Sequence, residues 1–312
     1  MLLNRASPRS KASYEKLKAS VPGAKFTQID CDLQDFSSVK AAAKEIKSVL
    51  GYTELYCLCN NAGIMAVDDN VTKADGYEVQ MQTNHLSHFL LTSELLPLLK
   101  AGSAKFGDAR IVNHSSIARL MTEHESLEEK YLTKQEKDGQ LGGNDVDPAG
   151  GFAMKGGPWW RYHQTKLANS VFTHALADKL RASSDTEYQN IMATCAHPGV
   201  SRTNLGEHLN TKLNIFARSI LFPLVTFLMF QSAEDGSMGI LKGMMDDKST
   251  LLQGRLYGPA LGLSKEETAK PKMGFTGNAV VNPVLPYEDD SKSKDMLWKL
   301  SEKATGIKFE IP

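Results

Sequence analysis

The sequence predicts an α/β fold, a doubly wound parallel sheet with crossover helices, and three observations carry that prediction. Short apolar runs of strand character alternate with longer stretches of helical period from one end of the chain to the other. The runs end in turn-prone or polar pairs, Asn60-Asn61, Ser115-Ser116 and Pro198-Gly199, as strands feeding crossovers do. Of 312 residues, 41% are hydrophobic and 23% charged, which excludes a mostly disordered or fibrous chain and leaves ample material for a core.

Taken in order, residues 1–4 read as the end of a strand, 10–20 as a helix, 25–30 as a strand and 36–49 as a helix. Residues 55–60 are the next strand. From Gly76 to Lys100 runs a long helix with Val79, Leu86, Leu90 and Leu95 at roughly helical spacing and Pro97 near its end. A strand follows over 109–115. The rhythm then breaks: residues 117–158 hold many charges, seven glycines and no sustained apolar period, and read as an insertion. It resumes with a helix over 159–181, a strand over 190–196, a helix over 233–245 and a short strand over 255–257. The tail from Leu263 reads as polar and irregular except near Leu297. The whole, 1–312, is taken as one domain.

Residues 213–230 end in the apolar string SILFPLVTFLMF. Arg218 and Pro223 interrupt it, and a spanning helix needs about 20 apolar residues. A lid over a pocket and a segment in a membrane interface both fit; a lid is preferred, because 36 basic against 36 acidic residues give a net charge of zero and little lipid attraction. The same neutrality argues against nucleic-acid binding. Four cysteines, at 31, 57, 59 and 195, form neither a disulfide framework nor a zinc pattern, so no metal site is expected and a reducing intracellular compartment fits. Cys57 and Cys59 share one strand face and read as packing.

The sharpest chemical signal is Tyr162 and Lys166, four residues apart on one helical face. An ammonium beside a phenol favours the phenolate, so the pair is a candidate proton donor and acceptor whose phenol is expected below its ordinary value. Asn60 to Gly63, Ser115-Ser116 and Pro198-Gly199 each close a strand at the end where open parallel sheets bind ligands. Ser116 reads either as a hydrogen-bond donor to a developing oxyanion or as a helix cap. Asn84, in a predicted helix, is a poor helix former with either a compensating role or a solvent-facing or capping one.

The strings NNAGIM, TNHLSHFLLTSELLPLL, RIVNHSS, YHQTKLANSVF and HPGVSRTNL, in that order and spacing, resemble the successive motifs of the short-chain dehydrogenase/reductase family. Within it, NHLSHFLL, an insertion before the Tyr and YHQTKLAN resemble the branch of retinol dehydrogenases, the WW-domain oxidoreductase and light-dependent protochlorophyllide reductases. The resemblance implies a Rossmann-like fold and hydride transfer between NADP(H) and a small hydrophobic carbonyl or alcohol. It implies Tyr162 as general acid/base, Lys166 lowering its pKa and holding the nicotinamide ribose, Ser116 orienting the carbonyl, and Asn84 supporting a water-linked relay. Asn61, Ala62 and Gly63 would lie along the cofactor, Pro198, Gly199 and Thr203 at the nicotinamide, and Asp32 with Leu33 at the adenine. Arg5, just past the second strand of the pattern, favours NADP over NAD.

The family pattern opens with a strand, a glycine-rich phosphate turn and a helix, and this sequence begins where the second strand would be ending. A first strand and helix are therefore expected to be missing. A start placed too late, a non-catalytic relative that kept the scaffold, and a partner chain completing the sheet would each account for this, and the first is preferred. Cytoplasmic or membrane-associated placement, peripheral membrane contact and homo-oligomers all remain compatible with the resemblance.

Overall fold

A computed structural model describes residues 1–68, 70–134, 141–144, 154–201, 231–259 and 275–312. Strand β1 (Leu2–Asn4) leads into helix α1 (Pro8–Ser20), β2 (Gln28–Asp30), α2 (Phe36–Val49) and β3 (Cys57–Asn60). Helix α3 (Val79–Met81) runs through a π-turn (Gln82–Leu86) into α4 (Ser87–Phe106), then β4 (Ala109–His114). Next come α5 (Gly157–Ala182), α6 (Thr186–Gln189), β5 (Ile191–Ala196), α7 (Ala233–Met245), β6 (Leu256–Pro259), β7 (Ala279–Val281) and α8 (Ser291–Thr305).

Local chemistry sets these limits. Ser7 and Ser10 form a reciprocal capping box with Pro8 in the first turn of α1. The Asp35 carboxylate accepts from Ser37 N and Ser38 N to start α2. Phe36, Val39, Ala42, Ala43 and Ile46 then fall on the buried face of α2, packed against α4.

The strands form a parallel pair, β1-β2, and a five-stranded sheet in the order β3-β4-β5-β6-β7, parallel except for β7. Among the described residues no strand pairing joins the two sheets. The larger one is doubly wound. Ile111 and Ala193 belong to the core with α4 and α5, and Asn113 bonds Thr173 on α5. Val112, Thr194 and Ala196, of the opposite parity, lie against Gly243 and Gly239 of α7. Opposite faces of one sheet therefore carry different helices, the predicted architecture.

The tail is where the sequence reading needs correction. It supplies an antiparallel strand and the fifteen-residue α8, and it seals the core. Phe89 of α4 packs its ring against Phe172 at 5.4 Å and against Trp298 and Phe309 at 5.2 Å. The expected single helix over 76–100 is likewise two α segments about a π-turn. The described parts of the insertion bury Leu127, Tyr131, Leu132 and Leu141. The lid segment 213–230 and Thr203 lie outside the described residues, among which no helix is long and apolar enough to cross a membrane.

Candidate active site

Because β3, β4 and β5 are parallel neighbours in register, with Asn60 beside Asn113 and Asn113 beside Cys195, their C-terminal ends form one edge. That edge brings Asn61 to Gly63, Ser115-Ser116 and Pro198-Gly199 together, and α5 lays Tyr162 and Lys166 across it. Ser115 Oγ donates to the Lys166 carbonyl at 2.7 Å, fixing α5 to the end of β4. Lys166 Nζ and Asn169 Nδ2 both donate to the His114 carbonyl, at 3.1 and 2.9 Å.

Of the two readings of Ser116, the structure shows the cap. It caps a 3-10 turn, accepting from Ala118 N at 3.2 Å, and its side chain lies beside the Tyr162 phenol. The phenol is not lowered as expected: burial pushes it up to about 12, outweighing the lowering effect of Ser116. Lys166 Nζ stands 5.7 Å from the Tyr162 ring centroid, and burial takes this ammonium down from 10.5 to about 8. The pair spacing was legible in the sequence, but the desolvation that reverses the sign was not.

Asn84 is fully buried, which removes the solvent-facing reading. Its Oδ1 accepts from Ile64 N at 2.8 Å, and its Nδ2 donates to Ile64 O at 2.9 Å and Thr165 Oγ1 at 3.0 Å. Two residues along the same segment, Ala66 N donates to Gln80 Oε1 at 2.8 Å, while Gln80 Nε2 reaches Pro158 O at 2.9 Å. The helix through the π-turn thus holds the segment after β3 from one side and the start of α5 from the other. An ideal Cβ on Gly63 would stand 3.3 Å from Asn84 Oδ1 and 3.4 Å from Lys166 Nζ, so glycine keeps this floor open.

Several participants were inside the recognised strings yet went unread. His114 Nδ1 lies 2.8 Å from Asn61 Oδ1, so the neutral ring carries its proton there. His197 accepts from Gly199 N on Nδ1 at 3.1 Å and meets Asn282 Oδ1 with Nε2 at 3.1 Å. Burial holds His114 and His197 down to about 3 and His88 to about 4. Gly199 is left-handed, at φ 60°, which presents its amide to His197.

Arg5, Asp32 and Leu33 sit apart from this cluster, on or beside the β1-β2 ladder. Arg5 is exposed just beyond β1. Asp32 turns its carboxylate onto Gln34 N at 2.9 Å, and the Leu33 carbonyl accepts from Ser87 Oγ on α4 at 2.6 Å. Asn61 and Ala62 are exposed at the end of β3. Cys57 and Cys59 are pushed up to about 12 and about 11 by burial, which keeps both as inert thiols.

The short chain dehydrogenase family profile matches residues 1–126. Retinol dehydrogenase 14 of Mus musculus is 30% identical over 278 residues, covering 89% of this chain and 66% of that protein. The chloroplastic short-chain dehydrogenase TIC 32 A of Brassica napus is 35% identical over 205 residues, covering 65% of this chain and 57% of that one. The chain thus spans 57% to 66% of the length of these curated relatives. A crystallised protein from Mycobacterium Paratuberculosis superposes with a TM-score of 0.65 at 27% identity, covering 99% of this chain and 84% of the other. NADPH-bound carbonyl reductase from chicken fatty liver shares the fold at a TM-score of 0.50 and 22% identity, over 82% of this chain and 83% of its own.

Proposed function

Because the chain belongs to the short-chain dehydrogenase family, a family of oxidoreductases that use a nicotinamide cofactor, we propose that it interconverts a small hydrophobic carbonyl compound and its alcohol, with NADP(H) as the cofactor. One observation carries this reading: Ser116, Tyr162 and Lys166 gather at the strand edge, with the Ser116 side chain beside the buried phenol and Lys166 Nζ 5.7 Å from its ring centroid, one helical turn further on. The resemblance to retinol dehydrogenases supports the hydrophobic substrate class, as do Trp159, which meets the Tyr162 ring edge-on at 6.1 Å, and the apolar segment 213–230. The reading treats residues 1–312 as one domain.

The residues present fit the nicotinamide end of such a cofactor. The Lys166 ammonium, which donates to the His114 carbonyl, has further hydrogens to offer a ribose hydroxyl, and Gly63 leaves the floor beside it open. Asn61, Ala62, Pro198, Gly199 and Thr203 would line the cofactor's path, Asp32 and Leu33 the adenine, and Arg5 the 2'-phosphate that separates NADP from NAD. When bound, the nicotinamide would supply or accept the hydride. In the reducing direction Tyr162 gives its phenolic proton to the carbonyl oxygen, Ser116 donates a hydrogen bond to the same oxygen, and the Lys166 charge favours the phenolate left behind. Asn84, fixed by three bonds, leaves its own carbonyl to accept from His88 Nδ1 at 3.0 Å and holds the floor through which a proton relay would pass.

One observation favours a second reading, a non-catalytic binding protein on the same scaffold. The helix after the first strand, α1, starts at Ser7-Pro8 and not on a glycine-rich turn for the pyrophosphate, while the described Gly156-Gly157 pair opens α5, the helix that carries Tyr162 and Lys166. Titrating the chain with NADPH and NADH separates the two, since NADPH-selective binding, weak where the pyrophosphate lacks its glycine-rich turn, is expected of the enzyme and none of the scaffold. Tyr162→Phe keeps the ring and deletes the proton, so turnover falls by about 10² or more with unchanged folding. Full turnover by that variant would assign the acid elsewhere.

A further inference from the structure

The segment after β6 reaches back to the catalytic edge at three places. Asn282 meets His197 at the end of β5, Ser301 of α8 meets His85 Nε2 in the π-turn at 2.9 Å, and Glu288 meets Arg119 just after Ser116. The last is an ion pair with Arg119 Nε on Glu288 Oε1 at 2.6 Å, both side chains buried. The other carboxylate oxygen accepts from Leu285 N at 3.0 Å. Arg119 in turn gives two donors to one acceptor, its backbone N at 3.2 Å and its Nη1 at 3.3 Å, both to the Ser116 carbonyl.

A buried ion pair contributes little net stability compared with apolar side chains of the same volume, because desolvating both charges offsets their attraction. What this pair does supply is direction. Ser116 has its carbonyl held by Arg119 and its hydroxyl oxygen held by Ala118 N, so both ends of the residue are fixed where its side chain lies beside the Tyr162 phenol. We propose that Glu288 is a positioning residue: through Arg119 it sets the Ser116 hydroxyl against Tyr162, so that the tail of the chain governs the geometry of the catalytic pair. This rests on the oxidoreductase reading for its consequence in turnover, but the geometry itself is testable without turnover.

The full chain labelled with 13Cζ-tyrosine provides the readout, and Tyr162→Phe identifies the Tyr162 line by its loss. Ser116→Ala reports how far that line moves when the hydroxyl is gone. The paired replacement Arg119→Met with Glu288→Leu fills the same volume with apolar groups and keeps the fold, as urea unfolding will show. If it does not fold, Glu288→Gln, which keeps shape and acceptor but removes the charge, is read in its place. The expected result is a Tyr162 line displaced as in Ser116→Ala and, once a substrate is in hand, kcat lower by about 10² with KM little changed. A folded variant whose Tyr162 line stays at the parental position overturns the proposal, as does a Ser116→Ala line that does not move. These spectra need neither cofactor nor substrate, so absent turnover would count against the oxidoreductase reading alone.

Discussion

Replacing Lys166 by Met should make the protein more stable at neutral pH while removing its function. Lys166 is 5% exposed, and burial brings its ammonium from the ordinary 10.5 down to about 8. Between those values the unfolded chain binds a proton that the native chain does not, so stability rises with pH across that window. Below pH 8 both states are protonated and the native state carries the whole penalty. The gap from 10.5 to about 8, at roughly 1.4 kcal/mol per unit, amounts to about 3 kcal/mol. Methionine keeps most of the apolar stem, and the His114 carbonyl keeps Asn169 Nδ2 at 2.9 Å, so little is lost against that gain. Urea unfolding should show the Met variant ahead by about 3 kcal/mol at pH 7 and by only about 1 kcal/mol at pH 10. An equal gain at both pH values, or a loss at pH 7, would mean that the native fold does not desolvate this ammonium.

Two further outcomes follow from the same edge. His85, His114 and His197 are held to about 3 and His88 and His163 to about 4, all chiefly by burial, so the stability they represent is present above the ordinary 6.5 and lost as pH falls below it. Five rings remove on the order of 7 kcal/mol by pH 5.5, and circular dichroism should show unfolding between about pH 5 and 6 with uptake of several protons; a chain still folded at pH 4.5 would contradict this. Gly199→Ala puts a Cβ 2.2 Å from the Phe275 carbonyl at a left-handed φ of 60°, where neither backbone can yield cheaply. A loss of about 3 kcal/mol or more is expected in thermal unfolding, and a parental Tm would show that this turn relaxes freely.

What the sequence disclosed and what it hid divide along physical lines. The helix at 36–49 is found at its predicted limits because its signals are local: a capping Asp35 and apolar residues on one face. The strand ends and the Tyr162–Lys166 pair were equally visible, since period and spacing act within a few residues. Glu288 and Arg119 stand 169 residues apart, and no window along the chain contains both. The tail hid its strand and α8 behind polar composition, because Leu297, Trp298 and Leu300 mark the one face of that helix the core needs. The phenol's upward shift was hidden for another reason: burial depends on what the rest of the chain packs around Tyr162, and residue spacing carries none of that.

The two amide side chains that hold the segment after β3 have a consequence of their own. Gln80 and Asn84, one helical turn apart, receive the amides of Ala66 and Ile64, alternate residues of the segment after β3, which bends at Ala66 with φ 47°. They act as rungs of a ladder whose second rail is a helix instead of a strand. Such a ladder tolerates substitution between its rungs, since only the two matched pairs carry it. It has no tolerance for a change in count. Deleting or inserting one residue in 64–66, or in the π-turn at 82–86, turns one rail by a residue against the other and unmatches both rungs together. Across these two stretches exchanges of residue type are expected to be tolerated and changes of length are not, and a chimera spliced from a relative should fold only where both rails come from the same parent.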